Sequence, residues 1–128
     1  MTPEGRVKAQ FKRRIKPYIH VYQHWPVPSG FGKPGVDCYL CVPIWLGGID
    51  GLASVFPHGA FCAIEFKAPG KVPTPLQQQT LNDIQAARGM TWVISDDVGM
   101  NIFFRWLEKI YRGAYSEEAR ILKGPPKK

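Results

Sequence analysis

Long apolar runs are missing from this 128-residue chain. None approaches the roughly 20 residues that a membrane span needs, so no part of it is expected to cross a bilayer. The N-terminal stretch MTPEGRVKAQFKRR lacks the apolar region of a secretory signal, and the expected location is the cytoplasm. Cysteine is scarce and odd in number: Cys38, Cys41 and Cys62. Thiols in that number, with no signal, argue against a disulfide-stapled scaffold and for a reducing compartment. Cys38 and Cys41 have C-x-x-C spacing, but the chain has no second such pair, and a structural zinc site normally needs four ligands. Cys62 with His20, His24 or His58 could complete a set; the favoured reading is buried strand cysteines acting as small apolar residues. Internal repeats are absent. Negative charge is in short supply, with 10 Asp and Glu against 17 Lys and Arg, a formal net charge of +7. That excess favours a polyanionic partner such as nucleic acid, although a basic surface serving only solubility has the same composition.

What is present suits one domain spanning residues 1–128, since 45% of the residues are hydrophobic and the length leaves little room for a second core. A helix is predicted over residues 3–16, with Thr2 as its cap and Pro3 in its first turn. Val7, Phe11, Ile15 and Tyr18 form its apolar stripe, with Lys8, Lys12, Arg13 and Lys16 outside it. Residues 20–25 read as a short strand, 26–35 as a Gly- and Pro-rich loop, and 36–42 as a strand. Residues 43–59 read as two apolar runs joined by a glycine turn. The clearest strand is 60–68, AFCAIEFKA. A loop leads to a helix over 74–88, capped by Thr74 and stopped by Gly89. A strand over 90–95 and a helix over 100–112 follow. Residues 116–123 read as a further helical turn or two, and the tail 124–128 is expected to be disordered. The order of elements gives an α/β fold, a mixed central sheet flanked by helices.

Chemistry concentrates at three positions. Asp37 follows the Gly-rich loop at the start of a strand. Glu65 and Lys67 lie two apart in another strand and so project from one face. An ionised Glu and Lys within an apolar strand are costly without a partner or a purpose. Two carboxylates can hold Mg²⁺, a hard cation that prefers oxygen ligands. Such an ion acidifies its bound water and neutralises phosphate charge, and a lysine beside it can orient or deprotonate that water or stabilise the transition state. A Glu65–Lys67 ion pair at a sheet edge, with Asp37 a turn residue, is the plain alternative for E-x-K. Gln77 shares a helical face with Leu81 and Ile84, which aims its amide inward; Thr74-Pro75-Leu76-Gln77 is equally a capping box. Glu4 lies on the stripe of the first helix, where it either points inward or favours the helix dipole.

With these residues in place the sequence resembles the VRR-NUC family of PD-(D/E)xK nucleases. The resemblance runs from about Glu4 to Ser95. It rests on Glu4 with Val7, on Gly35-Val36-Asp37, on Ile64-Glu65-Phe66-Lys67-Ala68-Pro69-Gly70, and on Thr74-Pro75-Leu76-Gln77 with Leu81 and Gly89. Val36 stands where many members have proline, and residues 43–59 are longer than a tight hairpin. The resemblance implies a restriction-endonuclease-like core. It implies Asp37, Glu65 and the Phe66 backbone carbonyl as metal ligands, Lys67 as the catalytic lysine, and Glu4, a candidate ligand through water, and Gln77 in support. The implied activity is Mg²⁺-dependent endonucleolytic cleavage of DNA, with Mn²⁺ able to substitute. Branched DNA such as a four-way (Holliday) junction is the expected substrate. A non-catalytic nucleic-acid-binding module and a restriction-type nuclease on duplex DNA are the alternatives.

Lys8, Lys12, Arg13, Lys33 and Lys71 are the candidate phosphate contacts, the last two in the loops expected to enter the two catalytic strands. A homodimer is expected for two reasons. A symmetric junction needs two opposed cuts. The apolar arc of the last helix, with Phe104 and Tyr111 at its edge, is also wider than one core requires, although Ile121 and Leu122 could cover the excess.

Overall fold

Thr2 opens the first helix, α1 (Pro3–Ile15), by accepting the Gly5 N–H on its hydroxyl at 3.0 Å. Pro3, which has no N–H to satisfy, fits the first turn. Val7, Phe11 and Ile15 recur every fourth residue and are buried. The computed structural model describes residues 1–27, 35–44 and 58–114. After α1 come β1 (Tyr22–His24), β2 (Cys38–Pro43), β3 (Gly59–Phe66), α2 (Pro75–Ala86), β4 (Met90–Ile94) and α3 (Asp97–Ala114). Lys33, the glycine turn predicted within 43–59, the turn expected at 116–123 with Ile121 and Leu122, and the tail 124–128 lie outside the described residues.

The strands form one sheet in the order β1-β2-β3-β4. The first three pair antiparallel; β4 runs parallel to β3, which requires a crossover that α2 supplies. The result is a mixed α/β architecture, a four-stranded mixed sheet flanked by three helices among the described residues. Alternation along the strands divides the two faces. Cys38, Leu40 and Val42 of β2, Cys62, Ile64 and Phe66 of β3, and Ile94 of β4 join α1 and α3 in the main core. Phe11 is fully buried at its centre, ringed by Trp25, Phe66, Phe103 and Phe104 at centroid distances of 5.9, 5.0, 5.3 and 5.2 Å. On the other face Ala63, Val36 and Leu81 make a smaller cluster beneath α2.

Several boundaries differ from the sequence reading. The last helix begins at Asp97, because Asp96 caps it: its carboxylate accepts the Gly99 N–H at 2.8 Å and its carbonyl the Met100 N–H at 3.0 Å. Gly99 is therefore inside the helix, and Gly113 does not end it. At the end of α2 the left-handed residue is Arg88 (φ 73°). Arg88 N–H bonds to the Gln85 carbonyl and Gly89 N–H to that of Ile84, both at 2.9 Å, which is a Schellman motif. Gly89 serves close packing instead: a Cβ there would lie 2.6 Å from a methyl of Ile84.

Two expectations are corrected by packing. Cys38 and Cys62 are buried as foreseen, but Cys41 is exposed. Three positions apart on a strand, Cys38 and Cys41 face opposite sides of the sheet and cannot share a metal ion. The edge of α3 is covered from within: Phe104 is 5% exposed, packed against Phe11 and Tyr18 and beneath the Arg14 guanidinium. Tyr111 meets Tyr18 edge-on at 5.1 Å. The apolar surplus at Phe104 and Tyr111 that suggested a two-fold partner is covered by α1 and the turn after it, while Ile102 stays half-exposed.

Candidate active site

Strand register brings the carboxylates together. The β2–β3 ladder ends with Cys38 opposite Ile64, and one further step sets Asp37 opposite Glu65. Residues so opposed have Cβ atoms about 5 Å apart on one face. The backbone fastens the arrangement. Phe66 N–H, beyond the last ladder pair, donates to Asp37 Oδ2 at 2.8 Å. A strand residue points its N–H and C=O toward the same neighbour, so the Phe66 carbonyl also faces the Asp37 side. Lys67 N–H bonds the other way, to the Ile94 carbonyl on β4 at 3.1 Å. The site thus sits at the C-terminal ends of the two parallel strands.

Among the described residues Glu65 is the one buried charged or polar residue, 1% exposed. Its Oε2 lies 3.5 Å from Lys67 Nζ. Its Oε1 is buried and has no hydrogen-bond partner. Burial, and next the negative charge of Asp37, push the Glu65 carboxyl up to about 7, while Lys67 pulls the other way. A lone pair this deeply buried normally finds a donor or an ion.

A second lysine closes the cluster from α1. Lys8 Nζ lies 3.2 Å from Asp37 Oδ1 and 3.4 Å from Glu4 Oε2. Burial works against its charge, but the Asp37 and Glu4 carboxylates outweigh that and raise its pKa. The polar groups therefore run Glu4, Lys8, Asp37, Glu65, Lys67: three carboxylates and two ammonium groups drawn from α1 and the β2–β3 pair.

Of the residues singled out by sequence, Asp37, Glu65 and Lys67 meet at one place, and Glu4 joins them through Lys8. Gln77 makes the capping box: its Oε1 accepts the Thr74 N–H at 2.9 Å while Thr74 Oγ accepts the Gln77 N–H at 3.2 Å. Lys71 is exposed at the exit of a turn over Ala68–Lys71, closed by Lys71 N–H to the Ala68 carbonyl at 3.0 Å. Pro69 at its second position and Gly70 (φ 81°) at its third match a type II turn. Arg13 is exposed, and Lys12 is engaged over the Trp25 ring at 4.5 Å. Lys8, expected outside the apolar stripe facing solvent or a ligand and as a phosphate contact, instead joins the carboxylates of the site. On a helix it stands about 40° from Glu4 and about 20° beyond Ile15, just outside the inward stripe, so periodicity alone leaves it unplaced.

The donor set is suited to a hard divalent cation: two carboxylates, one with an unpartnered buried oxygen, and a backbone carbonyl on the same side. Among the described residues no group of three His, Cys, Asp or Glu side chains converges, so backbone and water would have to supply the remaining ligands. Comparison with family models, with curated proteins and with solved structures found no match to this chain.

Proposed function

We propose that this protein is a Mg²⁺-dependent DNA endonuclease with a restriction-endonuclease-like core, acting on branched DNA. The observation that carries the reading is the unpartnered, buried Oε1 of Glu65, set across from Asp37 and beside Lys67. Asp37, Glu65 and the Phe66 carbonyl would hold the ion. When bound, it supplies charge neutralisation at the scissile phosphate and a more acidic water. Lys67, whose Nζ lies 3.5 Å from Glu65 Oε2, stands where negative charge develops as the phosphodiester is attacked. Asp37 is braced by the Phe66 N–H, so its carboxylate is oriented before substrate arrives. Gln77 supports the site indirectly, by fixing the start of α2. Lys71, at the turn beyond Lys67, meets the DNA backbone. Two opposed cuts in a four-way junction need two sites, so the reading includes a homodimer on that ground alone.

A network of ion pairs that needs no metal is the rival reading, favoured by the contacts of Lys8 and Lys67 with the carboxylates. One experiment separates them. Purified protein is incubated with labelled linear, flap and four-way-junction DNA in Mg²⁺ or in EDTA. Mg²⁺-dependent cleavage, strongest on the branched forms, supports the nuclease. Intact DNA under all conditions, or cleavage that persists in excess EDTA, rejects it.

A further inference from the structure

The contact between Lys8 and Asp37 has a cost for any ion that binds there. Asp37 Oδ2 holds the fixed backbone N–H of Phe66, and its Oδ1 holds the Lys8 ammonium at 3.2 Å. A divalent ion held by Asp37 and Glu65 would share one carboxylate with a like charge at contact distance. The Phe66 N–H belongs to the strand and cannot leave. Lys8 can, because its charge rides on a flexible four-carbon stem. It also has somewhere to go: Glu4, one turn back on the same helix, already holds it at 3.4 Å.

We infer that Lys8 is a built-in counter-ion of the metal site, displaced from Asp37 when a divalent cation binds and retained by Glu4. This rests on the metal-dependent reading above and adds to it a competitor and its resting place. Glu4 then acts on the metal through Lys8 and is a positioning residue. In the metal-free protein the ammonium relieves the repulsion between facing carboxylates; in the loaded protein the ion takes over that work. Lys8 also becomes available to meet phosphate only after loading.

The test is Mn²⁺ binding to the full chain without DNA, followed by titration calorimetry and by the electron spin resonance of free Mn²⁺. Lys8→Met removes the competitor and is expected to tighten Mn²⁺ several-fold. Lys12→Met removes the same charge one turn further along, from a lysine seated over Trp25, and is expected to change affinity much less. Glu4→Gln is expected to weaken binding in the parent and to have no effect in the Lys8→Met background, because its action runs through Lys8. Unchanged or weaker binding in Lys8→Met overturns the inference, as does an equal gain in Lys12→Met, which would reveal only a general charge effect. An undiminished Glu4→Gln effect beside Lys8→Met would make Glu4 a ligand in its own right and overturn its role as resting place. If neither parent nor Lys8→Met binds Mn²⁺ while both remain folded by circular dichroism, the metal-dependent reading itself fails.

Discussion

Glu65 gathers the tensions of the molecule in one side chain. It is buried, it faces another carboxylate, and one of its oxygens has no partner. Its carboxyl is raised to about 7 by burial and by Asp37, above its value of 4.5 in the unfolded chain. Between those values the unfolded state gives up the proton first, so stability falls as pH rises from about 4.5 to about 7 and stays low above that. The loss is on the order of 3 kcal/mol at most. Glu65→Gln should flatten this decline and be more stable than the parent at pH 8 without metal, as read from urea denaturation across pH. A parent whose stability does not fall over that range would contradict the assignment. Function should respond oppositely. Asp37→Ala, Glu65→Ala and Lys67→Ala are each expected to lower cleavage by about 100-fold or more with the circular dichroism spectrum retained. Full activity in any one of them would remove that residue from the chemistry.

At the level of elements, the loop and helix that follow β3 are held by local chemistry that can be tested separately. Arg88 occupies the left-handed region at the end of α2, where a Cβ costs roughly 1–2 kcal/mol. Arg88→Gly relieves that strain and is expected to raise stability by up to about 1 kcal/mol, part of the gain being offset by the entropy of glycine. Gly89→Ala goes the other way, because its methyl group would collide with Ile84. Thermal melts of the two variants should move in opposite directions; a shared direction would mean that the motif is misread. Gln77→Ala should cost about 1 kcal/mol through the lost capping contact, and cleavage should weaken less than in the three alanine variants above.

The molecule as a whole carries a formal net charge of +7, so DNA affinity should fall steeply with salt. Lys71 is exposed beside the site, and Lys71→Ala should reduce the slope of log affinity against log salt by about 1. An unchanged slope would take the DNA path away from this turn. Self-association is a separate matter. Phe104 lies in the core, so Phe104→Glu would damage folding and cannot probe an interface. Sedimentation of the parent at micromolar concentration is the suitable measurement, and a monomer fully active on four-way junctions would end the homodimer proposal. Among the described residues no helix is long and apolar enough to cross a membrane.

Much of this was legible along the chain because it is set by near neighbours. Caps, the stripe of Val7, Phe11 and Ile15, and the common face of Glu65 and Lys67 follow from periods of 3.6 and 2. The Thr74–Gln77 capping box is likewise local. Asp96 shows the limit of such reading, since the glycine at 99 masked an ordinary cap. Other features depend on which strand lies beside which. The approach of Asp37 to Glu65 is a consequence of register, the bracing of Asp37 by Phe66 N–H of where the ladder stops. The inward turn of Lys8 depends on the docking of α1 beside β3, and the cover over Phe104 on its packing against α3. The sequence alone determined the elements and the three residue types at the site. Only tertiary structure decided that a second lysine stands among the carboxylates, because contacts between residues 29 apart, such as Lys8 with Asp37, leave no trace in local periodicity.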